Sequence, residues 1–260
     1  MKKLLSVFII LIVLAGAKLS MRPEKVYAQN MFWSFNYPTG LLGWWKLCGD
    51  TSASGGCVPS SSTAVYDSSG YAQSGTWNGA QSGTAYWYSA GHVGPYAGTF
   101  DGTDNYVNTG AVNFNINTGD FTVTAWIYPT SYMVGETTGP TVVSFGSYAP
   151  YFGIDSNQPG NNDSLSFYWA GWHRFNTPVT LNAWHFVVLE RASGVVSAYL
   201  DGVKEATTYS MAGTSLANGI VLWTGYDGAG DWYAGRIDDV RIYNRALSAG
   251  EIAQMYLAHN

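Results

Sequence analysis

An all-β fold, a sandwich or barrel with one short C-terminal helix, is predicted by three features of this sequence. Its 260 residues include 31 Gly, 19 Tyr and 11 Trp with only 11% charged residues. These are the turn formers and aromatic strand formers of β structure, in place of helical Ala, Glu, Lys and Leu. Short apolar runs recur along the chain, each followed by a turn containing Gly, Asn, Asp or Pro. No internal repeat of about 20 to 50 residues is visible, and all-β domains routinely reach about 200 to 250 residues, so one domain is expected.

From the N-terminus, Lys2-Lys3 precede an apolar run from Leu4 to Ala17. Such a run is too short to cross about 30 Å of hydrocarbon as a helix, and its positive start is that of an export signal. Cleavage after Ala28 in Val26-Tyr27-Ala28-Gln29 is expected, with Ala15-Gly16-Ala17 as the other small-x-small site and an uncleaved anchor as the alternative. The chain then divides into a signal (1–28), a leader (29–40) and a domain (41–260), secreted or surface-bound and without a membrane span after cleavage. Gly43-Trp-Trp-Lys-Leu47 is the first strand. Cys48 and Cys57 follow in a Gly/Ser-rich stretch, and in an exported chain a disulfide between them is the natural reading. Phe121 to Tyr128 alternates, with Phe121, Val123, Ala125 and Ile127 on one face. Further strands are expected over Val142–Phe145, Tyr151–Ile154, Leu165–Trp169, Trp184–Glu190, Val195–Leu200, Ile220–Thr224 and Ile237–Tyr243. Ser248-Ala-Gly-Glu251 is a capping box, and Ile252, Met255 and Tyr256 form the apolar stripe of the helix it starts.

Loss of residues 1–28 lowers Lys+Arg from 12 to 7 and Asp+Glu from 17 to 16, taking the net charge from -5 to about -9. Nucleic-acid affinity comes mostly from cations that neutralise phosphates, so a DNA or RNA partner is excluded. Cations and neutral ligands suit this balance better.

Four ordered stretches are similar to the bacterial laminin-G-like, concanavalin-A-like jelly-roll family. They are Gly43 to Leu47 leading to Tyr66-Asp67-Ser-Ser-Gly70; Phe100-Asp-Gly-Thr-Asp-Asn-Tyr-Val107 with Phe121 to Tyr128; Trp184-His-Phe-Val-Val188 with Tyr199-Leu-Asp-Gly202; and Gly235-Arg-Ile-Asp-Asp-Val-Arg-Ile-Tyr-Asn-Arg-Ala-Leu-Ser248. Together they span about residues 41 to 258. The resemblance implies two antiparallel sheets packed face to face, with the first and last strands adjacent. Phe121, Val123, Ile127, Phe186, Val188, Ile220, Leu222, Ile237, Val240 and Ile242 are expected to supply the core. The segment holding Cys48 and Cys57, the long aromatic stretch Tyr71 to Tyr96, and Glu190 depart from the family pattern.

Relatives with this fold include glycoside hydrolases, which need two carboxylates flanking the scissile bond. The Glu-x-Asp-x-x-Glu strand motif of the laminarinase-type relatives is absent. The five glutamates (Glu24, Glu136, Glu190, Glu205, Glu251) are too scattered for any two to share a strand face, and Asp227 and Asp231 read as solvated loop acids. No Gly-x-Ser-x-Gly elbow occurs, and His92, His173, His185 and His259 lack metal-ligand spacing. A non-catalytic recognition domain is therefore expected, for a glycan or a cell-surface protein. A structural assembly protein and a hydrolase of unfamiliar site are the alternatives. Trp and Tyr stack on sugar rings. Trp44, Trp45, Trp126, Trp184, Trp223 and Trp232 fall in strands and read as core. Trp77, Trp87, Trp169, Trp172 and Tyr226 lie in turn-rich segments and read as better exposed, with His173 beside Trp172. A structural calcium ion is expected between Asp67 and Asp238. Strict alternation along Arg236 to Ile242 places Asp238 among apolar neighbours, and the resemblance implies a calcium ligand at that position.

Overall fold

The computed structural model describes residues 38–49, 57, 62–80, 87–112, 119–132, 139–145, 150–155, 163–213, 220–224 and 231–260. The expected export signal and nearly all of the leader lie outside them. Two antiparallel sheets of eight strands each form the sandwich. With strands numbered along the chain, the first sheet runs β14 (Val203–Ser210), β13 (Val195–Leu200), β12 (His185–Ala192), β7 (Phe121–Pro129), β16 (Ala234–Tyr243), β5 (Tyr96–Asp101), β4 (Tyr88–Ala90), and β1 (Leu41–Trp45) also pairs with β16. The second runs β11 (Trp172–Pro178), β10 (Ser164–Tyr168), β9 (Tyr151–Asp155), β8 (Thr141–Ser144), β15 (Ile220–Thr224), β6 (Tyr106–Val112), β3 (Gly75–Asn78), β2 (Ala64–Val65). The first and last strands are thus neighbours, as the jelly-roll resemblance implies. Among the described residues no helix is long and apolar enough to cross a membrane.

Apolar side chains fill both faces of the first sheet. On β7, Phe121, Val123, Ala125 and Ile127 enter the core between the sheets, as alternation predicts. The intervening Trp126 faces the other way, into a second cluster with Phe186, Val188, Tyr199 and Tyr243. That cluster lies under α1 (Ala249–Leu257), which buries Ile252 and Met255 against it. The capping box is formed: the Ser248 side chain accepts the Glu251 amide, and the Glu251 carboxylate accepts the Ser248 amide. Phe186 and Val188 therefore sit beneath the helix and not between the sheets, because the helix gives β12 a second apolar surface. The side chains of Ile220 and Leu222 lie outside the described residues.

On β16 the expected alternation fails. Its pairing with β7 shifts between Asp238 and Arg241, and Asp239 has φ 54°. This β-bulge adds one residue and changes the parity. Ile237, Val240 and Ile242 all enter the inter-sheet core, while Tyr243 joins the second cluster.

Cys48 and Cys57 are bonded, with Cα atoms 4.9 Å apart. Closing a loop of this length stabilises the fold by about 2 to 3 kcal/mol in the chain-entropy account. At the far side of the sandwich, side chains of β14 cover the free edge of β11. Tyr209 Oη accepts from the Arg174 amide at 3.1 Å and donates to the Arg174 carbonyl, and Asn176 Nδ2 donates to Thr207 Oγ1 at 2.6 Å. Open strand edges are templates for wrong pairing, and this one is closed by the other sheet.

Candidate functional site

Three neighbouring strands of the second sheet carry the candidate site. In β10, Leu165 and Phe167 are core residues, so Ser164, Ser166 and Tyr168 take the opposite face. Register then sets Tyr151 of β9 and Trp172 of β11 on either side of Tyr168. The Tyr151 and Tyr168 rings are parallel, with centroids 5.4 Å apart. Trp172 stands edge-on to both, at 5.3 Å and 5.5 Å. Aromatic pairs favour these offset and T-shaped geometries, so each ring holds the others in place. The turn that makes this possible is Ala170-Gly171, with φ 55° and 144°, closed by the Trp169 amide donating to the Gly171 carbonyl at 3.0 Å. Nothing lies within 4 Å of a Cβ built on Gly171, so its backbone conformation is what requires glycine there.

The polar part of the face adjoins the rings. Asp155 is buried and forms an ion pair with the half-exposed Arg174, whose guanidinium lies 5.9 Å from the Trp172 ring centre. Ser164, opposite Asp155 in register, donates its hydroxyl to the Phe175 carbonyl at 2.7 Å. A preorganised ring cluster with Tyr168 and Trp172 half-buried and Tyr151 buried, bordered by a guanidinium, can offer ring surface to an apolar ligand face and N–H groups to hydroxyls along its rim.

Of the sequence-predicted ligand residues that are described, Trp172 alone stands in this cluster. His173 is on the opposite face, stacked on Phe167 at 4.6 Å and the same distance from Tyr209. The stretch is strand and not loop: Trp172 and Arg174 take one face, His173 and Phe175 the other. That period of two is the signal that identifies it, together with the Tyr at each neighbouring strand end. Trp77, Trp87 and Trp169 are core side chains, correcting the expected exposure. Trp77 and Trp87 stack on each other at 5.7 Å, because β3 turns Trp77 inward. Trp169 closes the end of the core, with the buried Arg191 guanidinium 4.9 Å above its ring. Tyr226 and Asp227 lie outside the described residues, whereas Asp231, expected as a solvated loop acid, is buried. Trp45 and Trp126 are buried as expected, whereas Trp44, Trp184 and Trp232 are half-buried. His185 is a structural residue: Nδ1 lies 2.8 Å from Asp201 Oδ2 and Nε2 lies 2.8 Å from the Thr180 hydroxyl.

The two aspartates expected to share calcium have separate partners. Asp67 is saturated: Oδ1 accepts the Trp44 and Ser69 amides, and Oδ2 accepts the Ser69 hydroxyl and the Gln73 amide. Four donors fill the sites a carboxylate offers, so Asp67 does not fit a metal ligand. Asp238 differs. Its Oδ2 accepts the His92 and Val93 amides at 2.9 and 2.8 Å, while Oδ1 is buried with no hydrogen-bond partner. Burial first, and Asp239 second, raise its pKa to about 8. No cation is among the groups acting on it, so burial favours the protonated form. Among the described residues, no group of three or more His, Cys, Asp or Glu could hold a metal.

The laminin-G-like profile of the concanavalin A-like lectin/glucanases superfamily matches residues 101–253, more than half of the chain. No curated protein matches. Among solved structures, domain 4 of AbnA, a GH43 extracellular arabinanase from Geobacillus stearothermophilus in complex with arabinotriose, superposes with TM-score 0.60 at 18% identity, over 83% of this chain and 98% of that one. The binding domain of Paraclostridial Mosquitocidal Protein 1 gives 0.60 at 15%, over 84% and 52%. Trypanosoma rangeli sialidase gives 0.57 at 15%, but this chain spans only 33% of it. At these identities the likeness is one of fold. The chain belongs to the laminin-G-like family of the concanavalin A-like lectin/glucanases superfamily.

Proposed function

We propose that this chain is a secreted, non-catalytic glycan-recognition domain that binds sugar on the face formed by Tyr151, Tyr168 and Trp172. The observation that carries this reading is the ring cluster on three adjacent strands, with Tyr168 and Trp172 half-buried, Tyr151 buried beside them and Arg174 at the edge. The arabinotriose complex of the similarly folded arabinanase domain supports it, as does the absence of paired strand carboxylates in the sequence. The disulfide and the N-terminal apolar segment support export. A printed glycan array followed by titration tests it. Trp172→Ala is expected to lower affinity by about 1 to 3 kcal/mol, roughly 5- to 150-fold, with an unchanged circular dichroism spectrum. Equal binding by the variant would overturn the reading.

We also propose calcium at Asp238, supported by its free buried oxygen. When bound, the ion would supply the missing counter-charge, and the chain's part is to fix the carboxylate through His92 and Val93. A ligand bound only by the folded state stabilises by about 2.7 kcal/mol at one hundred times Kd. At roughly 2 to 4 °C per kcal/mol for a domain of this size, melting should rise by about 5 to 11 °C between chelator and saturating calcium. Asp238→Asn should abolish the rise. Identical melting in both buffers would remove calcium from this account.

A further inference from the structure

Resting on the glycan-binding reading, we infer that the Asp155–Arg174 pair restricts the site to neutral sugars and rejects uronic acids and sulfated glycans. Arg174 is the cation of the face, 39% exposed and over the Trp172 ring. An exposed guanidinium beside an aromatic platform is what a carboxylate- or sulfate-bearing sugar would seek. Asp155, only 4% exposed, already pairs with that guanidinium from within the sheet. A second anion approaching Arg174 meets a charge already neutralised, while the buried carboxylate repels it across a short distance. A neutral sugar meets no such penalty and can still accept hydrogen bonds from the N–H groups of Arg174 that Asp155 does not engage. Ser164 and Ser166, on the same face, are buried and add no charge. The excess of acids over bases in the whole chain acts in the same direction. Selectivity of this kind is a difference of affinities, produced by an element that disfavours the wrong ligand.

The test uses the full exported chain on an array in which each neutral oligosaccharide is printed beside its uronic acid or sulfated counterpart. Wild type is expected to bind neutral members at least tenfold more tightly than their charged partners. Asp155→Asn frees Arg174 and should move that ratio at least tenfold towards the charged members. Asp155→Asn with Arg174→Gln should return it to neutral preference. Neutral and charged partners bound equally by wild type, or no movement of the ratio in a folded Asp155→Asn, would overturn the inference while leaving Trp172-dependent binding intact. If Asp155→Asn does not fold, the wild-type ratio decides alone. Binding of no sugar at all, or binding indifferent to Trp172→Ala, would instead overturn the reading on which the inference rests.

Discussion

Trp77→Ala is expected to destabilise the domain by about 3 to 5 kcal/mol, the range for removing a fully packed aromatic side chain. Trp77 is only 2% exposed, stacks on Trp87, and lies 4.9 Å from the Phe100 ring. Its Nε1 donates to the Tyr88 hydroxyl at 2.9 Å, so truncation leaves both a cavity and a buried hydroxyl without its donor. The backbone opposite is Gly98, where a built Cβ would stand 3.1 Å from the indole, so the ring lies directly on the neighbouring sheet. A larger residue at position 98 would require the indole to give way by a few tenths of an ångström. Equilibrium urea unfolding should show a lower midpoint with unchanged slope, and melting should fall by roughly 6 to 20 °C. A loss below about 1 kcal/mol would mean that the ring is not part of the core.

Arg241→Met should cost a comparable 3 to 5 kcal/mol, through charge rather than volume. Arg241 and Asp239 are 3% and 2% exposed and pair at 2.7 Å, with Arg241 Nε also donating to Asp239 Oδ1 at 3.2 Å. Trp44 Nε1 donates to the same oxygen at 2.6 Å. Methionine matches much of the arginine stem but leaves the Asp239 carboxylate buried without its cation. Arg241→Met with Asp239→Asn should recover most of the loss, because breaking a buried pair costs far more than replacing both partners. A double variant no more stable than the single one would show that packing of the guanidinium on Trp44, 4.8 Å away, carries the effect.

Local signals were legible wherever one physical cause dominated. The Ser248/Glu251 box started the helix because reciprocal side-chain and amide bonds need only residues three apart. Phe121 to Tyr128 could be assigned to a face because β7 contains no bulge in its pairing with β12. β16 could not, since nothing in Ile237-Asp-Asp-Val240 announces that Asp239 will adopt a positive φ. The β11 strand is hidden in the sequence because Gly171 and the flanking aromatics resemble a loop, and the turn-rich neighbours of Trp77 conceal its burial. Long-range packing decided both. The Tyr151, Tyr168 and Trp172 cluster is likewise a product of register between three strands, which composition cannot display, although each residue sits at or beside an expected strand end.

The position of β16 sets an order of events during synthesis. This last strand lies between β7 on one side and β5 and β1 on the other. A growing polypeptide that stops short of Ala234 holds β1, β4 and β5 with no bonded route to β7, however much of the remainder has emerged. The first sheet therefore joins its two halves only after Ala234 to Tyr243 have been added, however early β1, β4, β5 and β7 were made. Cleavage ahead of Ala234 would accordingly be a far graver injury than the length of β16 suggests, because the missing segment is the middle of a sheet and not its rim.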